Sequence, residues 1–148
     1  MNTIGIHIAA KIDLSRHNII RIAPICNGKL FLSQRNLTPE LLDIPIERSM
    51  DGTIEEGKKY ALKAVKKITL NNVQPRLILH YNDECSCGTC NGILLFILPL
   101  KTEKDIMLDG KFFNFEDIEK NTHLLNPSIK KELEHLKNAA SLWKDFYL

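Results

Sequence analysis

The sequence predicts an α/β fold, a mixed β-sheet sandwiched between α-helices, and three observations carry that expectation. Short apolar runs of strand character fill the first third and the middle of the chain, and two of them are joined by Asn27-Gly28. A segment with apolar residues at helical spacing interrupts these runs between Ile54 and Ile68, and a second closes the chain after Pro127. The length of 148 residues suits one domain, 1–148, with enough chain to bury a core unaided by disulfides or metals.

Taken in order, Ile4, Ile6 and Ile8 alternate with Gly5, His7 and Ala9, the period of a strand with one buried face. Residues 18–26 and 29–35 read as strands around Asn27-Gly28, a pair that tolerates the positive φ of a tight hairpin turn. Pro24 lacks a ladder donor, which places that strand at an edge or bulges it there. Residues 36–52 read as irregular, with a turn at Asp51-Gly52. Thr53 is an N-cap, and Glu55 and Glu56 suit the first turn of a helix, where the dipole favours negative charge. The apolar stripe of that helix is Ile54, Gly57, Ala61, Ala64, Val65 and Ile68, with Lys58, Lys59, Lys63, Lys66 and Lys67 on its other faces.

Residues 76–81 form the next expected strand, 82–92 a loop, 93–99 a buried strand and 112–115 another, with a helical turn at 116–119. Asp109-Gly110 reads as a hairpin turn. Pro127 suits the first position of the last helix, whose stripe is Ile129, Leu133, Leu136, Ala140, Trp143 and Tyr147. Trp143 is expected in the core. Phe146 and Tyr147 are candidates for an exposed patch that joins two copies into a homodimer.

Composition narrows the function. Twenty basic residues against eighteen acidic ones leave a net charge of +2 without any block of like charge, which gives neither nucleic acid nor an anionic membrane as a partner. The N-terminus lacks the pattern of a signal peptide, and the run Ile93 to Leu98 is too short to span a bilayer. A cytoplasmic location with reduced thiols is the expectation for Cys26, Cys85, Cys87 and Cys90. Cys85, Cys87 and Cys90, with His80 nearby, could gather on a soft metal such as zinc; the simpler reading is a hairpin loop of free thiols.

Several pieces follow one another at telling intervals. Leu30-Phe31-Leu32-Ser33-Gln34-Arg35 ends a hairpin, then come Ile44-Pro45-Ile46-Glu47, Asp51-Gly52 and Thr53-Ile54-Glu55-Glu56, and later Phe112-Phe113-Asn114-Phe115-Glu116-Asp117-Ile118. In this order the chain resembles the Nudix (MutT-like) hydrolases over nearly its whole length. The resemblance implies the fold of a diphosphate hydrolase and a site on the first helix. The family's box, G-x5-E-x7-R-E-U-x-E-E-x-G-U with U aliphatic, sets carboxylates on one helix face to bind metal ions that clamp a diphosphate.

Anchored on Thr53 to Glu56, the R-E-U-x-E-E stretch falls on Tyr60-Ala61-Leu62-Lys63-Ala64-Val65, so Ala61, Ala64 and Val65 replace the three carboxylates. No shift of register restores them, since no Arg-Glu or Glu-Glu pair occurs between residues 57 and 115. No catalytic residue is therefore assigned, and no metal is expected at this site. The implied function is a degenerate, non-hydrolysing homologue that binds a nucleotide-like small molecule or a protein. Its substrate-binding candidates are Arg35, Glu47 and Lys63, for which plain solvated charge is the simpler reading. The alternative is an atypical hydrolase of a nucleoside diphosphate linked to another group, with magnesium held by Glu47, Asp51, Glu55, Glu56 and Asp109.

Overall fold

The computed structural model describes residues 18–34, 41–48, 53–84 and 90–146, so the strand expected at residues 4–8 lies outside the described residues. Seven strands form one mixed sheet: β1 (Asn18–Cys26), β2 (Lys29–Gln34), β3 (Leu42–Asp43), β4 (Ile46–Arg48), β5 (Arg76–Glu84), β6 (Cys90–Pro99) and β7 (Lys111–Asn114). Three helices accompany them: α1 (Ile54–Ile68), α2 (Phe115–Lys120) and α3 (Pro127–Phe146). The sheet runs β3-β2-β1-β6-β5, with β4 paired to β1 and β7 to β2. β1 and β6 are parallel, and the other pairs are antiparallel. No described helix is long and apolar enough to cross a membrane.

The β1–β2 hairpin turns at Asn27 and Gly28, with φ of 52° and 77°, the left-handed pair that matches the twist of the flanking strands. β1 and β6 are buried on both faces, which is why they read as continuous apolar runs. Ile20, Ile22, Leu94, Phe96 and Leu98 meet Ala61, Ala64, Val65 and Ile68 of α1. The alternate residues Ala23, Ile25, Leu95 and Ile97 meet Phe115 and Ile118 of α2 and Ile129, Leu136 and Ala140 of α3. Each such side chain contributes roughly 1.5–3 kcal/mol on burial, so the two layers hold the sheet between the helices.

Pro24 corrects the edge assignment: β1 is central, parallel to β6 with Pro24 opposite Leu98. The missing donor is tolerated because pairing on the other side of β1 lapses there. β4 ends its register at Arg21 and β2 begins at Ile25, so Pro24 falls in the gap. Residues 36–52 are not wholly irregular, since β3 and β4 lie within them. The expected loop at 82–92 is narrower than predicted, because Asn82 to Glu84 pair with Gly92 to Cys90. Asp109-Gly110 is a bend and not a hairpin turn, as the strand that follows it pairs with β2.

Two local devices fix the approach of the helices. Gly57 is buried where α1 passes over the sheet, and a Cβ there would collide with the Leu94 Cδ1 atom and sit 3.3 Å from the Ile20 Cδ1 atom. In β5 the register shifts between Leu77 and Leu79, so Leu77 packs on the α1 side and Ile78 and Leu79 on the α3 side. This bulge turns Tyr81 toward α3.

Candidate functional site

The start of α1 is built as its sequence implies. Thr53 Oγ1 accepts from the Glu56 backbone N–H at 3.2 Å, and the Thr53 carbonyl accepts from Asn18 Nδ2 at 2.8 Å. Glu55 and Glu56 stand in the first turn, and Glu56 lies 3.8 Å from Lys59. Both carboxylates oppose the positive end of the helix dipole, each contributing about 0.3–1 kcal/mol.

The residues of the box stretch differ in burial. Leu62, set by the resemblance at the buried aliphatic position, is 44% exposed, while Ala61, Ala64 and Val65 are buried against the sheet. Small residues turn inward because α1 lies close to the sheet at Gly57. Ile54 is 38% exposed, so the apolar stripe begins at Gly57.

The face of α1 that bears Tyr60, Lys63 and Lys67 stands next to β4. Lys63 Nζ lies 5.2 Å from the centre of the Tyr60 ring. One turn further, Lys67 Nζ donates to Glu47 Oε2 at 3.2 Å. Two of the three substrate-binding candidates, Glu47 and Lys63, thus flank one surface, with Glu47 held by a lysine that the sequence reading did not single out. Arg35 and Asp51 lie outside the described residues. Asp109 is exposed on the bend before β7.

The soft-metal candidates fall mostly outside the described residues. His80 is exposed on β5, opposite Leu94, and the Cys90 backbone pairs with Glu84, while Cys85 and Cys87 lie outside the described residues. Among the described residues no group of three His, Cys, Asp or Glu side chains could hold a metal ion. Cys26 is a buried free thiol whose pKa is raised, first by burial and then by the field of Glu103 and Asp105, which makes it a poor nucleophile. Trp143, expected in the core, is half-buried beside it, and Tyr147 lies outside the described residues.

The largest charged feature was missed by the sequence reading. Arg21 of β1 is 3% exposed and donates to Asp43 Oδ1 at 2.7 Å and Oδ2 at 3.2 Å. Its Nε donates to Glu132 Oε2 of α3 at 2.7 Å, and the Tyr81 hydroxyl donates to the same oxygen at 2.9 Å. Asp43 also accepts from the Ile44 backbone N–H at 2.8 Å. Burial opposes the charge of Arg21, but the hydrogen bonds and fields of the two carboxylates outweigh it and raise its pKa. Burial raises the pKa of Glu132, with Arg21 and Tyr81 acting in the opposite sense. Glu132 Oε1 has no hydrogen-bond partner among the described residues. A signal was present: Glu132 lies three residues after Ile129 and four before Leu136, on the buried stripe itself. This clasp joins β1, β3, β5 and α3 inside the protein, closed to a ligand.

No protein-family model matches the sequence, and no curated protein matches it. Solved structures do match by shape. A Nudix-family hydrolase from Clostridium perfringens superposes with a TM-score of 0.61 at 13% identity, covering 91% of this chain and all of its own. The Ap4A hydrolase of C. elegans gives 0.60 at 16% identity, over 86% of this chain and 98% of its own. A Nudix hydrolase from Nitrosomonas europaea gives 0.57 at 17% identity, over 86% and 90%. Identities this low speak for architecture alone. The chain has the fold of the Nudix hydrolases.

Proposed function

We propose that this Nudix-fold chain binds a nucleotide-like anion on the face formed by α1 and β4, without hydrolysing it through the metal cluster of the hydrolases. One observation carries the reading: α1 has no carboxylate after Glu56, and the surface beside Glu47 presents Lys63 and Lys67 instead. A hard divalent ion needs several oxygen donors, and the two carboxylates on this surface, Glu47 and Glu56, are each paired with a lysine. The donor set does not fit magnesium. Lys59, Lys63 and Lys67 against Glu47 and Glu56 leave a net positive surface, which suits a phosphate. The Tyr60 ring steadies the Lys63 side chain, and Lys67 holds Glu47 where its free oxygen can accept from a ribose hydroxyl. Arg35 is proposed as a further cation for the same ligand.

The test is calorimetry of ADP-ribose binding with and without magnesium or manganese, with diphosphate cleavage assayed in the same samples. The expected outcome is binding that needs no metal, weakens about tenfold in Lys63→Ala, and is accompanied by no cleavage. Metal-dependent cleavage would overturn the reading and favour the atypical hydrolase. Absence of binding in every condition would overturn the ligand and leave protein contacts as the use of the fold.

A further inference from the structure

A second cleft shares no residue with the α1–β4 face. It occupies about 370 Å³ at the end of the sheet where the chain leaves α1, enters β5 and leaves β6. That volume falls within the range of small-molecule sites. It is lined by Val73 and Pro99, by Arg76, Lys101 and Asp105 as charged groups and by Asn71, Asn72 and Gln74 as carboxamides. Trp143 of α3 closes one side. Arg76 lies with its guanidinium carbon 4.8 Å from the centre of the Trp143 ring.

Each part of this lining has a distinct use. Arg76 and Lys101 are the cationic groups of the lining, and the Oδ2 atom of Asp105 accepts from the Thr102 backbone N–H at 3.3 Å. A guanidinium resting on an indole loses little further freedom when it grips a phosphate or carboxylate, and it keeps a forked set of donors for it. The Trp143 ring, in the lining beside Arg76, is an aromatic partner for a flat ring. Three carboxamides provide paired donors and acceptors of the kind that match the edge of a heterocycle.

We infer that this cleft binds a small heteroaromatic phosphate, its phosphate on Arg76 and Lys101 and its ring beside Trp143. The site goes beyond the function proposed above, since it uses none of Glu47, Tyr60, Lys63 or Lys67.

Trp143 is the only tryptophan in the chain, so its fluorescence comes from a side chain in the lining of this cleft. The experiment titrates the full chain with AMP, with adenosine and with inorganic phosphate, following that fluorescence and, in parallel, heat. AMP is expected to change the emission saturably, and each half alone to bind at least tenfold more weakly. Arg76→Met and Lys101→Gln are each expected to weaken AMP at least tenfold with an unaltered thermal transition, and Lys120→Ala, an exposed lysine of α2 that lies in neither site, to leave it unchanged. An emission that does not saturate with AMP, or AMP affinity that survives both substitutions, would overturn the site. Phosphate binding as tightly as AMP would overturn the ring contact and with it the assigned ligand class. AMP affinity lost in Lys63→Ala but kept in Arg76→Met would overturn the cleft and move the ligand to the α1–β4 face.

Discussion

On the face of the sheet beneath α1, β1 and β6 send Ile20, Ile22, Leu94, Phe96 and Leu98 into an apolar layer, and the lysines of the helix stay in solvent. On the opposite face the same β1 sends Arg21 into the layer beneath α3, where two carboxylates meet it. The comparison separates two ways of handling charge. Beneath α1 the layer is almost wholly apolar and holds no buried charge among the described residues, so shape decides fit. Beneath α3 a guanidinium and two carboxyl groups are taken out of water, which is tolerable only while each retains its partners. The carboxylates that metal chemistry would require on α1 are absent there, while the largest described set of buried acids serves to hold β3 and α3 against β1.

The sharpest way to break the contrast is Arg21→Met. It strands Asp43 and Glu132 inside the α3 layer, and we expect a loss of about 3–5 kcal/mol, the usual cost of removing one partner of a buried ion pair. Urea denaturation with an unchanged slope measures it. Adding Glu132→Leu to the same chain should recover part of the loss, because one stranded carboxylate disappears. A loss below about 1 kcal/mol would mean that the clasp is open to water and that the two layers do not differ in kind.

The corresponding break in the α1 layer is steric. Alanine is favoured over glycine inside a helix by about 1 kcal/mol, so propensity alone makes Gly57→Ala stabilising. The new methyl would press on Leu94 and Ile20, both fully buried, and overpacking of this kind costs about 1–3 kcal/mol. We expect the packing effect to win, giving a net loss of about 1 kcal/mol and a lower thermal midpoint. A gain in stability would show that α1 can lift from the sheet, and the α1 layer would then be the looser of the two.

These two layers were not equally legible. The β1–β2 hairpin and α1 could be read because Asn27-Gly28 and Thr53 act through chemistry local to the turn and the cap. β3 and β4 could not, since segments of two and three residues carry no period and exist through pairing with β2 and β1. The β5 bulge also defeats alternation, because one extra residue sends Leu77 and Leu79 to opposite faces although they are two apart. On α3 the reading chose Leu133 for the stripe, and α3 is rolled so that Glu132 is buried and Leu133 only half so. That roll follows from a partner more than a hundred residues away, Arg21, which no local pattern announces. Likewise Leu62 looks more like a core residue than Ala61, and only the close approach at Gly57 makes the smaller one fit.

The smallest expected effect concerns the proton balance of the clasp. One guanidinium between two ionised carboxylates leaves a net negative charge in the core, and a proton on Glu132 removes it. The Oε2 atom already accepts from Arg21 and Tyr81, which leaves Oε1 as the place for that proton. Burial raises the pKa of Glu132 above its ordinary value of 4.5, so the folded protein holds this proton more tightly than the unfolded chain. Its contribution to stability is then fully present below that ordinary value and is lost as pH rises through the folded value. Glu132→Gln keeps the neutral shape and cannot ionise. Compared across pH by denaturation, the two proteins should be nearly equal in acid, with the variant gaining on the wild type as pH rises, by about 1.4 kcal/mol for each unit by which the folded pKa is raised. A wild type that gains on the variant with rising pH would show that the ionised pair wins over burial, and the α3 layer would then hold a net charge that the α1 layer never carries.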